Sequence, residues 1–386
     1  MHRIVILTEG KSTPDDAKTA TGLLRYRPED VVAVLDSTHA GKKAGEVLGT
    51  GGNIPIVARL EDVKGDTLLI GIAPAGGKLP REWRKVIRKA IESGMDVVSG
   101  LHYFLSEDAE FRDLAARHRV RLQDVRKPSP DLTVSRNVAK TLRAHRVHTV
   151  GHDCSVGKMV AALEITRALK ERGRRAEFVA TGQTGIMVAG WGVPIDRVIS
   201  DFLAGAIEEQ LVLHADEEFL LIEGQGSLVH PLYSGVTLGL LHGCAPQSMV
   251  MVFDPTRKSI KHTDHAMPPL SRVIEIYEAM ASLLTPSRVV AIAANTYSLT
   301  PREADAVMKR TEDELGLVTD DLIRNGTDRI VGAILARHAE LGLAGSAKEK
   351  RSAGHRRAPK PGAPRTGQRK AARKTTGRAS AAKKQA

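Results

Sequence analysis

The sequence predicts an α/β protein made of two doubly wound parallel sheets, the first Rossmann-like and the second like a P-loop NTPase. Three observations predict it. Short apolar runs alternate with helix-like segments along the first 343 of 386 residues. The runs are apolar at successive positions, as strands covered on both faces are. The chain also exceeds the roughly 250–300 residues at which a single core stops growing, so two domains are expected.

The first series, residues 1–130, opens on Arg3–Thr8 (RIVILT), and Val31–Leu35 and Ile54–Val57 have the same character. Thr67–Ile72 leads into APAGG, and Met95–Val98 is a further strand-like run. Leu79–Ser93 reads as a helix: Pro80 stands near its start, and Trp83, Val86, Ile87 and Ile91 recur at helical spacing. A turn-rich joint, Pro128–Thr133 (PSPDLT), precedes the second series, residues 131–343. That series begins with strand Val147–Val150, a loop and helix Gly157–Arg172. Strand Glu177–Thr181, helix Asp196–His214, strand Phe219–Glu223 and strand Met249–Phe253 follow. Helix Leu270–Leu284 and strand Arg288–Ala293 come next, and Thr300 with Glu303 forms a capping box for a helix starting near Pro301. The last apolar run, Ile330–Leu335, reads as a closing strand.

Aromatic residues make up only 3% of the chain, so the core must be aliphatic. Two cysteines, Cys154 and Cys244, exclude a disulfide framework and fit a reducing compartment. No apolar stretch approaches the ~18 residues of a membrane span, and Met1–Glu9 lacks the features of a signal peptide. A cytoplasmic protein with no membrane association is expected. The net charge of +12 suggests nucleic acid until it is located. Residues 345–386 hold fourteen Lys/Arg and one acid, Glu349, which leaves 43 basic against 44 acidic groups in the rest. The body is neutral. The tail, 344–386, has no large apolar residue and is expected to be disordered, with non-specific attraction to nucleic acid or other polyanions.

Residues 151–159 read GHDCSVGKM. A Gly-rich turn between a strand and a helix, ending in Gly157-Lys158, converges backbone N–H groups on an anion, and the lysine adds a point charge. Five residues separate Gly151 from Gly157, where the common phosphate loop has four, and Met159 stands where a Ser or Thr hydroxyl holds magnesium. The loop resembles that of dethiobiotin synthetase, Gly-x-Asp-x-x-Val-Gly-Lys-Thr, at Gly151, Asp153, Val156, Gly157 and Lys158. LLIEGQG (Leu220–Gly226) resembles that enzyme's Glu-Gly-x-Gly, and the likeness implies a divalent cation shared by Asp153 and Glu223.

The motifs in order, GHDCSVGKM, ATGQTGIM (Ala180–Met187), IEGQGSLVHP (Ile222–Pro231) and AANTYSL (Ala293–Leu299), resemble the D-glutamate N-acetyltransferase family. The resemblance spans residues 1 to about 340 and implies acetyl transfer from acetyl-CoA to the amine of D-glutamate. A homo-oligomer taking a small amino-acid substrate is expected. The loop residues Gly151, Asp153, Cys154, Ser155, Val156, Gly157, Lys158 and Met159 would then cradle the phosphates of acetyl-CoA. No phosphoanhydride is cleaved in that reaction, so loss of the hydroxyl at Met159 is tolerable. Two alternatives fit parts of the sequence. One is an ATP- and Mg2+-dependent ligase or kinase of the dethiobiotin synthetase type. The other is a nucleotide-regulated polyanion-binding protein working through its tail.

The remaining candidates lie at strand ends, where open α/β sheets bind ligands. Gln183, Thr184 and Gly185 suit a substrate carboxylate, the alternative being a Gly-rich loop with an ordinary turn, and Gln225 and Ser227 are further candidates. His230 and Glu223 compete as general base: the imidazole for its ordinary pKa of about 6.5, the carboxylate because an apolar strand end raises its own. Cys154, near a helix N-terminus, is a candidate thiolate. In KHTDH (Lys261–His265), Lys261 and His262 read as anion contacts, with His262, Asp264 and His265 too few for a zinc site. Asn295, after the last long strand, is a candidate for the cofactor's adenine.

Overall fold

A computed structural model describes residues 3–13, 16–72 and 77–343. The basic segment 344–386 lies outside the described residues, as does the expectation that it is disordered. Two six-stranded sheets, parallel throughout, make up the fold. The first has the order β3-β2-β1-β4-β5-β6, from β1 (Ile4–Leu7), β2 (Val31–Leu35), β3 (Ile56–Val57), β4 (Thr67–Ile70), β5 (Asp96–Ser99) and β6 (Leu122–Asp124). The second has the order β12-β11-β10-β7-β9-β8. Its strands are β7 (His145–Gly151), β8 (Ala176–Val179), β9 (Phe219–Ile222), β10 (Ser248–Phe253), β11 (Arg288–Ala294) and β12 (Thr319–Asp320). Every residue of β7, β9 and β10 is buried, which is why β9 and β10 read as nearly unbroken apolar runs rather than alternating ones, while β7 also buries His145, Arg146, His148 and Thr149.

The winding of the second sheet positions its ligand crevice. The chain runs from β7 to β8 and β9 on one side, then crosses to β10, β11 and β12 on the other. A reversal of this kind leaves a crevice at the carboxyl ends of the central strands, here beyond Gly151.

Helices α1 (Lys18–Tyr26), α2 (Ala44–Leu48), α3 (Trp83–Glu92) and α4 (Ala109–His118) belong to the first half. Helices α5 (Lys158–Glu171), α6 (Gln183–Ala189), α7 (Ser200–Leu213), α8 (Ser234–Cys244), α9 (Leu270–Ser282), α10 (Pro301–Leu315) and α11 (Asp328–Glu340) cover the second. Thr300 caps α10 as the capping box predicts, with Glu303 closing it reciprocally. Helix α1 packs on α6, and Leu23 and Leu24 share one apolar cluster with Ala162, Phe178, Ile186 and Met187. The two sheets are thereby joined through a common core.

Three readings are corrected. Ile330–Leu335 is not a strand but the middle of α11, where Ile330, Val331 and Ile334 bury one helical face against the core beside β11. The edge position is taken by the two-residue β12. Residues 183–185 open helix α6 instead of forming a loop. The helix expected from Asp196 begins at Ser200, after a single 3-10 turn at Ile195–Arg197. Helix α8 escaped sequence reading because Gly235, Gly239 and Gly243 lower its helical propensity.

Those glycines have different packing environments. A Cβ on Gly243 would strike Ile207 Cγ2 and stand 2.5 Å from the Ala204 carbonyl oxygen, so α8 lies against α7 without room for a methyl group. Gly243→Ala should therefore destabilise the protein by about 1–3 kcal/mol. Gly235→Ala, with no atom within 4 Å of its Cβ, should be neutral or stabilise by up to ~1 kcal/mol. Urea unfolding midpoints measure both, and equal midpoints for the two variants would disprove the close approach.

Candidate functional site

The loop after β7 is braced from several sides. Ser155 takes φ 56° and Gly157 φ 112°, left-handed conformations that turn the chain tightly into α5. Lys158 folds back under the loop: its Nζ donates to the Asp153 carbonyl oxygen at 2.7 Å. Burial lowers the Lys158 ammonium to about 8. Asn295 Nδ2 donates to the Val156 carbonyl (3.1 Å), and the Tyr277 hydroxyl donates to the Gly151 carbonyl (3.1 Å). Gly224 must lack a side chain, since a Cβ would fall on the Thr149 carbonyl oxygen and 2.9 Å from Lys158 Cδ.

Glu223 stands just beyond β9 and is buried. Its Oε2 accepts the backbone N–H groups of Thr181 (2.8 Å) and Gly182 (3.1 Å). Burial outweighs these bonds and the nearby Lys158 charge, and raises the carboxyl to about 7. A Cβ at Gly185 would fall on Glu223 Oε2, so the first turn of α6 closes directly over this carboxylate.

Both features open into a cavity of about 440 Å³. Its walls are the loop from Cys154 to Val160, Glu223 to Gly226, Gly182 to Thr184, and one face of α1 carrying Lys18, Thr21, Gly22, Arg25 and Tyr26. A second cavity, about 580 Å³, shares Arg25, Val156, Gly157, Val160 and Asn295 with the first. It continues along Val252, Ala293, Leu322, Ile323, Tyr297 and Arg324 and is mostly apolar. Together they form one cleft with a polar and an apolar arm, centred on the loop.

Of the residues singled out in the sequence, Cys154, Ser155, Val156, Gly157, Lys158, Met159, Gln183, Thr184, Glu223, Gln225 and Asn295 line the polar arm. Gly151, Asp153, Gly185, Ser227, His230, Lys261 and His262 do not line it. His230 is fully buried; its Nδ1 accepts the Leu232 N–H (3.2 Å), so Nε2 bears the hydrogen and donates to the Lys261 carbonyl (3.0 Å). With both nitrogens so engaged, the ring has no lone pair for a substrate proton, and the base role expected of it is withdrawn. The Cys154 thiol is also no thiolate: burial and then the Asp153 charge raise its pKa. Ser227 is buried and accepts the Val229 N–H (3.4 Å), whereas His262 is exposed, with φ 64°.

The metal expectation rested on Asp153 and Glu223. Asp153 Oδ2 accepts Arg257 Nη1 (2.8 Å) and the Lys261 N–H (3.0 Å), and Oδ1 accepts the Cys154 N–H (2.7 Å). The possible ligand atoms gathered within 4.8 Å belong to Asp153, Cys154 and His230, and Glu223 is not among them. A protonated thiol, an imidazole whose lone pair already accepts the Leu232 N–H and a carboxylate already holding a guanidinium do not fit a divalent ion.

Helix α1 and Arg257 were missed. The α1 segment, KTATGLLRY, follows a strand in the half of the chain that carries no recognisable motif, yet Lys18, Gly22 and Arg25 recur at positions that share a helix face. Three polar contacts fix α1 to the second half. Thr19 and Thr184 share a hydroxyl contact (3.0 Å), the Tyr26 hydroxyl donates to Glu164 (2.9 Å), and Lys18 Nζ reaches Ser155 Oγ (3.3 Å). Met159 packs into the same seam near Gly22, so the thioether that replaces a metal-binding hydroxyl serves as an apolar contact. Among the described residues of the first sheet, the acidic group at the end of β2 is already engaged. Asp36, at the carboxyl end of β2, is pushed up by burial but held at about 2 by bonds from Ser12, Thr38, Gly10 and His39. No helix among the described residues is long and apolar enough to cross a membrane.

Comparison with known proteins agrees with this architecture. Residues 37–128 match a model described as a domain of unknown function, DUF1611_N, Rossmann-like domain. Residues 133–331 match its companion, DUF1611_C, P-loop domain. A relative from Tritonibacter scottomollicae, named D-glutamate N-acetyltransferase, is 38% identical over 325 residues, 83% of this chain and 94% of that protein. A relative from a Pseudoalteromonas species with the same name is 36% identical over 316 residues, 81% and 93% of the two chains. A crystal structure of a DUF1611 family protein from Anabaena variabilis matches with a TM-score of 0.83 and 38% identity, covering 87% of this chain and 100% of that one. With both halves matched along one chain, and relatives of this identity over most of its length, the chain belongs to the DUF1611 family.

Proposed function

We propose that the protein transfers the acetyl group of acetyl-CoA to the amine of D-glutamate. The observation that carries this reading is Glu223, a buried carboxyl with a pKa near neutrality that lines the same cavity as the phosphate loop. The names of the two relatives supply the substrate. The loop and Lys158 take the pyrophosphate of CoA, and the apolar arm takes its adenosine. The thioester then reaches into the polar arm, beside Glu223. The amine attacks the thioester carbonyl carbon, a C–N bond forms and the C–S bond breaks. Of the two protons the ammonium nitrogen sheds, one goes to Glu223 and one to the departing CoA thiolate. Lys18 and Arg25 on α1 are cations suited to the carboxylates of the acceptor. The ATP-dependent alternative leaned on Asp153 as a magnesium ligand, and that carboxylate is occupied by Arg257.

Two outcomes are expected. The rate should rise with pH through about 7, as Glu223 loses its proton and becomes able to accept one. Glu223→Gln should lower kcat roughly 10²- to 10⁴-fold and leave only the later rise due to the amine itself. Measured pH profiles of kcat/KM check this; a variant retaining the rise near 7 would exclude Glu223 as the base. Separately, Lys158→Ala should weaken CoA binding by about 1.5–3 kcal/mol, the range for a bond to a charged group. Calorimetric titration with CoA tests it, and unchanged affinity would make the lysine structural. Mass-spectrometric detection of N-acetyl-D-glutamate from D-glutamate, with L-glutamate as the control, tests the reaction as a whole.

A further inference from the structure

Asp153 lies within the phosphate loop but is turned away from the cavity. Its side chain is completely buried, and one oxygen holds the Arg257 guanidinium at 2.8 Å. Arg257 comes from the segment after β10, and its Nε is also 3.4 Å from Asp254 Oδ2. In phosphate loops that cleave nucleotides, the loop hydroxyl holds a magnesium ion. Here the hydroxyl position is Met159, packed into the α1 seam, and Asp153 already has a cation.

We propose that Arg257 is the resident counter-charge of the loop's buried carboxylate, Asp153, so that ligand phosphate binds without metal. The physical need is plain. A bare carboxylate buried next to an anion cradle would repel each incoming phosphate, in surroundings that screen charge poorly. A guanidinium is suited to the task, because it is always charged and carries its donors in a planar fork that matches a carboxylate. Being tethered, it needs no recruitment from solution. The backbone N–H of Lys261, also on Asp153 at 3.0 Å, completes the neutralisation from the same segment. Arg257 is thus a positioning residue: it acts through Asp153 and the loop and does not line the cavity. The inference rests on the loop being a phosphate cradle, and it is independent of which amine is acetylated.

The test is calorimetric titration of the full-length protein with inorganic pyrophosphate and, separately, with CoA. Each is run in EDTA and again in excess Mg2+. The wild type should bind pyrophosphate equally well in both. Arg257→Ala should lose roughly tenfold to a hundredfold in affinity in EDTA, as expected for loss of a charged partner. Added Mg2+ or guanidinium ion should restore part of that loss, which no merely structural role predicts. The double variant Asp153→Asn with Arg257→Ala, which removes both charges, should bind close to wild-type strength, and it stands in if the single variant does not fold. Wild-type binding that appears only with Mg2+ overturns the proposal. So does an Arg257→Ala protein that binds at full strength in EDTA, or a double variant that folds but fails to bind. Pyrophosphate bound without metal, with CoA not bound at all, would overturn the acetyl-CoA reading and leave this inference standing.

Discussion

Burial of charge at the carboxyl edge of the second sheet constrains the rest of the site. Lys158, Asp153 and Glu223 are all buried within a few residues of the ends of β7 and β9. An uncompensated charge in such a place costs several kcal/mol, so each must find its partner inside the protein. Lys158 uses a loop carbonyl, Asp153 a guanidinium and Glu223 two backbone N–H groups. These pairings dictate where side chains cannot be. Gly224 and Gly185 are bare because the lysine, the Thr149 carbonyl and the glutamate fill the space where a Cβ would stand.

The second consequence concerns the first sheet. At the carboxyl end of β2, Asp36 is bonded by its own neighbours. What this half contributes is α1, one face of which is buried in the shared core while the other forms a wall of the cleft. The Rossmann-like unit therefore serves the site as a packed scaffold with a cationic face. Met159 follows the same logic: it stands where the common phosphate loop has a hydroxyl, and its side chain packs into the seam that holds the halves together.

Much of the fold was legible in the chain because parallel strands bury both faces and show it as continuous apolar runs. β7, β9, β10 and β11 fall within a residue or two of their expected limits. The errors share a cause. Ile330–Leu335 has the composition of a strand, but it lies where the sheet already has its edge, so its branched residues pack as a helical face. α8 was hidden by its glycines, of which Gly239 and Gly243 lie against α7. Local propensity carries no record of what lies opposite.

The site divides along the same line. Contiguous residues were readable: a strand, a Gly-rich turn and a lysine specify a phosphate loop because the backbone geometry is local. The departure at Met159 was equally visible. The partners of that loop come from segments distant in sequence and were not readable. Arg257 reaches Asp153 across 104 positions, and Lys18 reaches Ser155 across 137. Whether His230 offers a lone pair depended on two backbone groups supplied by neighbouring loops. Sequence names the ionisable groups, but packing assigns them partners, and the partner determines whether a carboxylate holds a metal, a guanidinium or a proton.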